Sequence, residues 1–100
     1  MVKVEVIKKD NTYKKVIITG HAMYSNYGTD IVCSAISSIV TTSINGILSL
    51  NEGSLNYEVN DGNVKIIINS DDFTTQTLIT NMISLLKELE EKYPANIKVK

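Results

Sequence analysis

Twice along this chain, two alternating apolar–polar stretches flank a turn and run into a long apolar stripe at helical spacing. Residues 2–8, VKVEVIK, put Val2, Val4 and Val6 on one side, the pattern of a half-buried strand. Asp10-Asn11-Thr12 is turn chemistry, and residues 13–19, YKKVIIT, read as a second strand pairing with the first as a hairpin. Residues 55–60 and 63–69 repeat the arrangement around Asp61-Gly62, a strong two-residue turn signal, with Val64, Ile66 and Ile68 on one face. Between the hairpins, residues 31–50 carry Val32, Ala35, Ile36, Ile39, Val40, Ile44, Ile47 and Leu48 at intervals of three and four, which predicts a helix with Asp30 as its N-cap. Leu78, Ile79, Met82, Ile83, Leu86 and Leu89 predict a second helix over about 73–92, capped by Asp71 or Asp72 and stopped before Pro94. Its exposed end carries Lys87, Glu88, Glu90 and Glu91, and Ile97 and Val99 mark a last strand.

This order, β-β-α-β-β-α(-β), predicts a two-layer α+β fold: a mostly antiparallel sheet of two hairpins with both helices on one face. One hundred residues make one domain, spanning 1–100. A chain this short buries only about 60–65% of its unfolded surface, so its stability margin is thin unless it pairs with another chain. The strand face opposite the core carries Ile7, Ile17 and Ile67 among lysines, which suits a homodimer. The first helix presents Ser34, Ser37, Ser38, Thr41 and Thr42 away from its stripe, so packing rather than propensity must hold it.

The net charge is −1, ten lysines are scattered among eleven acids, and arginine is absent. That excludes the basic, arginine-bearing stripe of a direct nucleic-acid binder. No apolar run is expected to reach membrane-spanning length. Val2 onward reads as strand rather than as a secretory leader. One cysteine forms no internal disulfide, which suits a reducing cytoplasm. One histidine and one cysteine are too few for a structural zinc site, so neither metal nor cofactor is expected.

Those two residues, His21 and Cys33, stand twelve positions apart at the ends of neighbouring elements. Cys33 falls in the first turn of the predicted helix, where unpaired N–H groups and the dipole favour a thiolate, the nucleophilic form. His21 follows Gly20 at the end of the second strand, and the short loop after it can return the imidazole to the thiol. There it acts as base and then as proton donor to a leaving amine. First-turn N–H groups would stabilise an oxyanion. Taken singly, Cys33 and His21 are ordinary core residues; their joint placement is what points to chemistry. Asp30 is read first as a helix cap, with orientation of His21 as its sharper role. Ser37, one turn beyond Cys33, either bonds within the site or belongs to the polar helix face. The loop from Ala22 to Thr29 is a lid or a plain connection; Gly28 gives it conformational freedom, and Tyr24 and Tyr27 shape a pocket or cover the core edge.

Gly20-His21-Ala22, then Gly28, then Asp30-Ile31-Val32-Cys33 resembles the signature of the ribosomal-processing cysteine proteases called Prp. The length, the element order and the Asp71-Asp72-Phe73 helix start fit the same family over the whole chain. Ser34 stands where that family commonly has alanine. The resemblance implies a cytoplasmic bacterial cysteine endopeptidase, often a homodimer. Its substrate would be the precursor of large-subunit ribosomal protein twenty-seven, whose short N-terminal extension it removes. On that resemblance Cys33 is the nucleophile, His21 the base and acid, Asp30 a supporting residue, and the loop after Gly20 the part that meets substrate. A ribosome-associated binding module without turnover is the alternative. A redox sensor is disfavoured, because the chain has no second cysteine to resolve a sulfenate.

Overall fold

The computed structural model describes residues 1–20, 30–60 and 62–100, without the side chain of Asp30. Strands β1 (Val2–Lys9) and β2 (Thr12–Thr19) precede helix α1 (Asp30–Leu50). Strands β3 (Leu55–Asn60) and β4 (Asn63–Ile68), helix α2 (Phe73–Lys92) and strand β5 (Ile97–Val99) follow. The strands form one sheet in the order β3-β4-β2-β1-β5. The two hairpins meet through an antiparallel β2–β4 pairing, Val16 opposite Ile66 and Ile18 opposite Val64. Strand β5 adds in parallel to β1, Val2 opposite Ile97. The architecture is α+β, as the sequence pattern predicts.

Local chemistry explains each element. Asp10 and Asn11 both take positive φ, 54° and 63°, the two-residue turn whose twist matches a hairpin. Thr12 therefore belongs to the strand rather than to the turn. A bulge leaves Lys14 without an opposite residue: Ile7 faces Lys15 while Lys8 faces Tyr13. That extra residue turns Tyr13 to the core side, where it packs against the hydrophobic cluster with the Lys8 Nζ 4.7 Å from its ring centroid. Sequence alternation alone would place Tyr13 on the opposite face from Val16 and Ile18.

The core forms where the strand alternation meets the helical stripes. Val2, Val4, Val16, Ile18, Leu55, Ile66, Ile68 and Ile97 come from the sheet. Helix α1 adds Val32, Ile36, Val40, Ile44 and Ile47, and α2 adds Ile79, Met82, Ile83 and Leu86. Of the residues predicted for the stripes, Ile39, Leu48, Leu78 and Leu89 flank this cluster half-buried. At about 25 cal/mol per Å² of apolar surface removed from water, this burial is the main force holding α1. One expectation is corrected: Ile31–Leu50 is, by length and composition, apolar enough to cross a membrane, with a mean hydropathy of 1.7. Serine and threonine dilute hydropathy only weakly and no charge interrupts the segment. Here its apolar stripe is packed against the sheet and α2.

Side chains fasten the layers together. Gln76 of α2 accepts the Tyr13 N–H at 2.8 Å and donates to the carbonyls of Tyr13 and Ser70 at 3.1 and 3.0 Å. Glu90, read from sequence as solvent-facing, is half-buried and accepts the Val99 N–H at 3.2 Å. On the open sheet face, Ile7, Lys15 and Ile67 stand abreast, next to a row of Glu5, Ile17, Lys65 and Glu58.

Asp72 is the N-cap of α2 and accepts the Thr75 N–H at 2.7 Å. Hydrogen bonds from Thr75 hold its carboxyl below the ordinary carboxylate value of 3.8. A carboxylate shifted down on folding stabilises the native state above its unfolded value and loses that contribution as pH falls through the native one. The Asp72→Ala variant should therefore have a lower urea midpoint than the parent at pH 7, with the gap closing below pH 3.8. A gap that persists in stronger acid would show that the charged cap is not its source.

Candidate active site

Strand β2 ends at Thr19, and Gly20 follows with φ +74°. Its Cα hydrogen faces the backbone of Met1: a Cβ built there would stand 2.5 Å from the Met1 carbonyl oxygen. Only glycine combines that left-handed conformation with so close an approach. The direction in which the chain leaves β2 toward His21 is thus set by a contact with the first strand. His21, Ala22, Tyr24, Tyr27 and Gly28 lie outside the described residues.

Cys33 occupies the first turn of α1 and is 8% exposed, with a free thiol. The helix runs from Asp30, whose side chain lies outside the described residues. First-turn N–H groups lack intrahelical carbonyl partners and give this end of the helix its positive dipole. Ser37 follows one turn later on the exposed side, and is hydrogen-bonded or otherwise engaged.

A cavity of about 240 Å³ lies between α1 and strands β2, β3 and β4. Ile18, two residues before Gly20, lines it from β2, and Ile36, three residues after Cys33, lines it from α1. Strand β2 and helix α1 thus face one cavity, while His21 lies outside the described residues. Tyr57 and Val59 of β3 and Val64 of β4 complete its far wall. Sequence reading missed them, because nothing in an alternating hairpin strand tells which helix it will face.

The family model for cysteine protease Prp matches residues 1–98. The chain belongs to the Prp family of cysteine proteases. It is 30% identical to the ribosomal processing cysteine protease Prp of Staphylococcus aureus strain Mu50, over 99% of this chain and 97% of that one. Among solved structures it resembles the S. aureus Prp with a substrate peptide, with a TM-score of 0.90 and 27% identity, covering 100% of this chain and 98% of that one. It also resembles the S. aureus Prp with a covalently linked product peptide, with a TM-score of 0.87 and 28% identity at the same coverage. Membership makes the chain a cysteine protease, and Cys33 is its only cysteine.

The packing of Gly20 on Met1 leads to a direct expectation. Gly20→Ala should lower stability by roughly 1–2 kcal/mol or more, since a left-handed alanine is strained and its Cβ meets backbone. Chemical denaturation measures this, and a midpoint equal to the parent's would contradict the close approach.

Proposed function

We propose that this protein is the endopeptidase that removes the short N-terminal extension from the precursor of large-subunit ribosomal protein twenty-seven, in the cytoplasm, through a dyad of Cys33 and His21. The observation that carries the reading is the whole-chain family match together with Cys33, the chain's only cysteine, in the first turn of α1. The S. aureus relatives support it: one is named for ribosomal processing, and one was solved with a covalently linked product peptide.

In this mechanism His21 takes the thiol proton, and the Cys33 Sγ attacks the scissile carbonyl carbon. The tetrahedral oxyanion draws on N–H groups at the start of α1. On collapse the C–N bond breaks, His21 delivers its proton to the departing amine, and a thioester remains on Cys33. Water, deprotonated by His21, attacks that thioester and releases the carboxylate product and the thiol. Asp30 supports His21, Ser37 borders the site, and Gly20, Ala22, Tyr24, Tyr27 and Gly28 belong to the segment that meets the substrate.

Mass spectrometry of the organism's own precursor after incubation tests substrate and nucleophile together. The parent should yield one N-terminal truncation, while Cys33→Ala and His21→Ala, with unchanged circular dichroism, should yield none. Truncation by either variant at the parent's rate would overturn the dyad.

The protein also acts as a homodimer in this reading, with the isoleucines of the open sheet face covered by a second copy. Ile7 and Ile67 are each 38% exposed there, among charges of both signs that a twofold partner could match. Ile67→Glu should shift the mass in sedimentation from dimer to monomer. A monomeric parent at micromolar concentration would rule the assembly out.

A further inference from the structure

Where α1 ends and α2 begins, the two helices and the turn before β3 enclose a second cavity, of about 300 Å³. Ser54 lines it and is 1% exposed, yet its Oγ has no hydrogen-bond partner among the described residues. A buried hydroxyl without a partner is uncommon and costs free energy until something bonds to it. Ile47, Leu50 and Leu78 form the apolar part of the wall, and Asp72 lies on its polar part. Leu50 is 68% exposed there, and Phe73, between two lining residues, is 85% exposed.

The charge around this cavity has one sign. Glu52 and Asp71, the chain neighbours of lining residues, are exposed, and the segments 41–54 and 66–80 contain no lysine. Neither they nor Asp72 make an ion pair among the described residues. Helix α1 ends here with no basic residue in its last turn, so its negative dipole end is unanswered. The positive start of α2 is already met by the Asp72 carboxylate, which accepts the Thr75 N–H. Lys8, Lys87 and Lys100 line a separate cavity toward β1. An acidic field over an apolar wall selects a cation with a hydrocarbon stem.

We propose that this cavity is a docking site for a lysine or arginine side chain of the protein substrate, remote from the scissile bond. The cationic head lies among Asp72, Asp71 and Glu52 and donates to the Ser54 hydroxyl, while the stem packs on Leu50 and Leu78. This rests on the proposed processing of a ribosomal precursor and deepens it. A ribosomal protein needs cationic side chains to sit on an RNA backbone, so the chemistry of the substrate matches the field. Leu50 lies seventeen residues beyond Cys33 on α1, roughly 25 Å at the helical rise. About eight extended residues cover that distance, so the site holds the substrate away from the residues at the cut.

The test titrates acetyl-arginine amide, and acetyl-citrulline amide as its uncharged counterpart of the same shape, into isotope-labelled protein followed by NMR. The arginine compound should give saturable amide shifts at Ser54, Asp72 and their neighbours, and the citrulline compound should not. Glu52→Lys combined with Asp71→Lys, both at exposed positions, should abolish the response, and Ser54→Ala should weaken it. Substrate use is read as the ratio of kcat/KM for the full precursor to that for a short junction peptide, which cancels any change at the cysteine itself. The double variant should lower this ratio about tenfold. Equal shifts with both compounds, or none with either, would overturn the site. Saturable arginine shifts with an unchanged ratio in the double variant would overturn substrate docking there. If the parent cuts neither substrate while arginine still binds, the ribosomal substrate assignment fails and the cavity stands as a pocket for basic side chains.

Discussion

Val16 and Ile18 of β2 lie opposite Ile66 and Val64 of β4, and this antiparallel ladder is the only strand pairing between the two hairpins among the described residues. Each hairpin by itself is a two-stranded ribbon, marginal in water because its apolar face has nothing to cover it. Joined at β2–β4, they make a surface wide enough for two helices. Val16 and Ile66 are completely buried at this seam, and the α1 and α2 stripes close over it. A one-residue slip would turn Ile17 and Ile67 inward and Val16 and Ile66 out to solvent, so the register is held by burial.

The seam also decides where chemistry is possible. With β2 in the interior of the sheet, Ile18 near its end shares a cavity with Ile36 of α1. The close approach of Gly20 to Met1 anchors that end against the first strand. A small domain with a thin stability margin thus keeps its one cysteine on the first turn of a helix that the core holds down along its length. Packing must hold it, since α1 is rich in β-branched and hydroxyl residues that favour helix poorly.

Much of this was legible in the residues. Both hairpins, both helices and a cap at Asp71 or Asp72 follow from alternation, turn chemistry and element ends, and the structure chooses Asp72. The whole-chain resemblance to Prp added roles that spacing alone left open. Other features were hidden. The Lys14 bulge that turns Tyr13 to the core breaks the very alternation used to find the strand. Glu90 read as a surface residue and Gln76 carried no signal of its own, yet each bonds backbone of a strand. The membrane-length apolarity of α1 was underestimated, because its serines and threonines look polar by type while weighing little by hydropathy.

The sequence by itself determined the local pieces: where strands turn back, where helices start, and which side chains share a face. These depend on dihedral preferences and on neighbours within a few residues, so a short window contains the cause. Only the tertiary structure decided that β2 pairs with β4, that β5 lies parallel to β1, and that Tyr57 and Val59 face the helix carrying Cys33. Those outcomes join residues separated by up to about ninety-five positions, as Val2 and Ile97 are. They are selected by how well whole faces bury each other, which no single segment encodes.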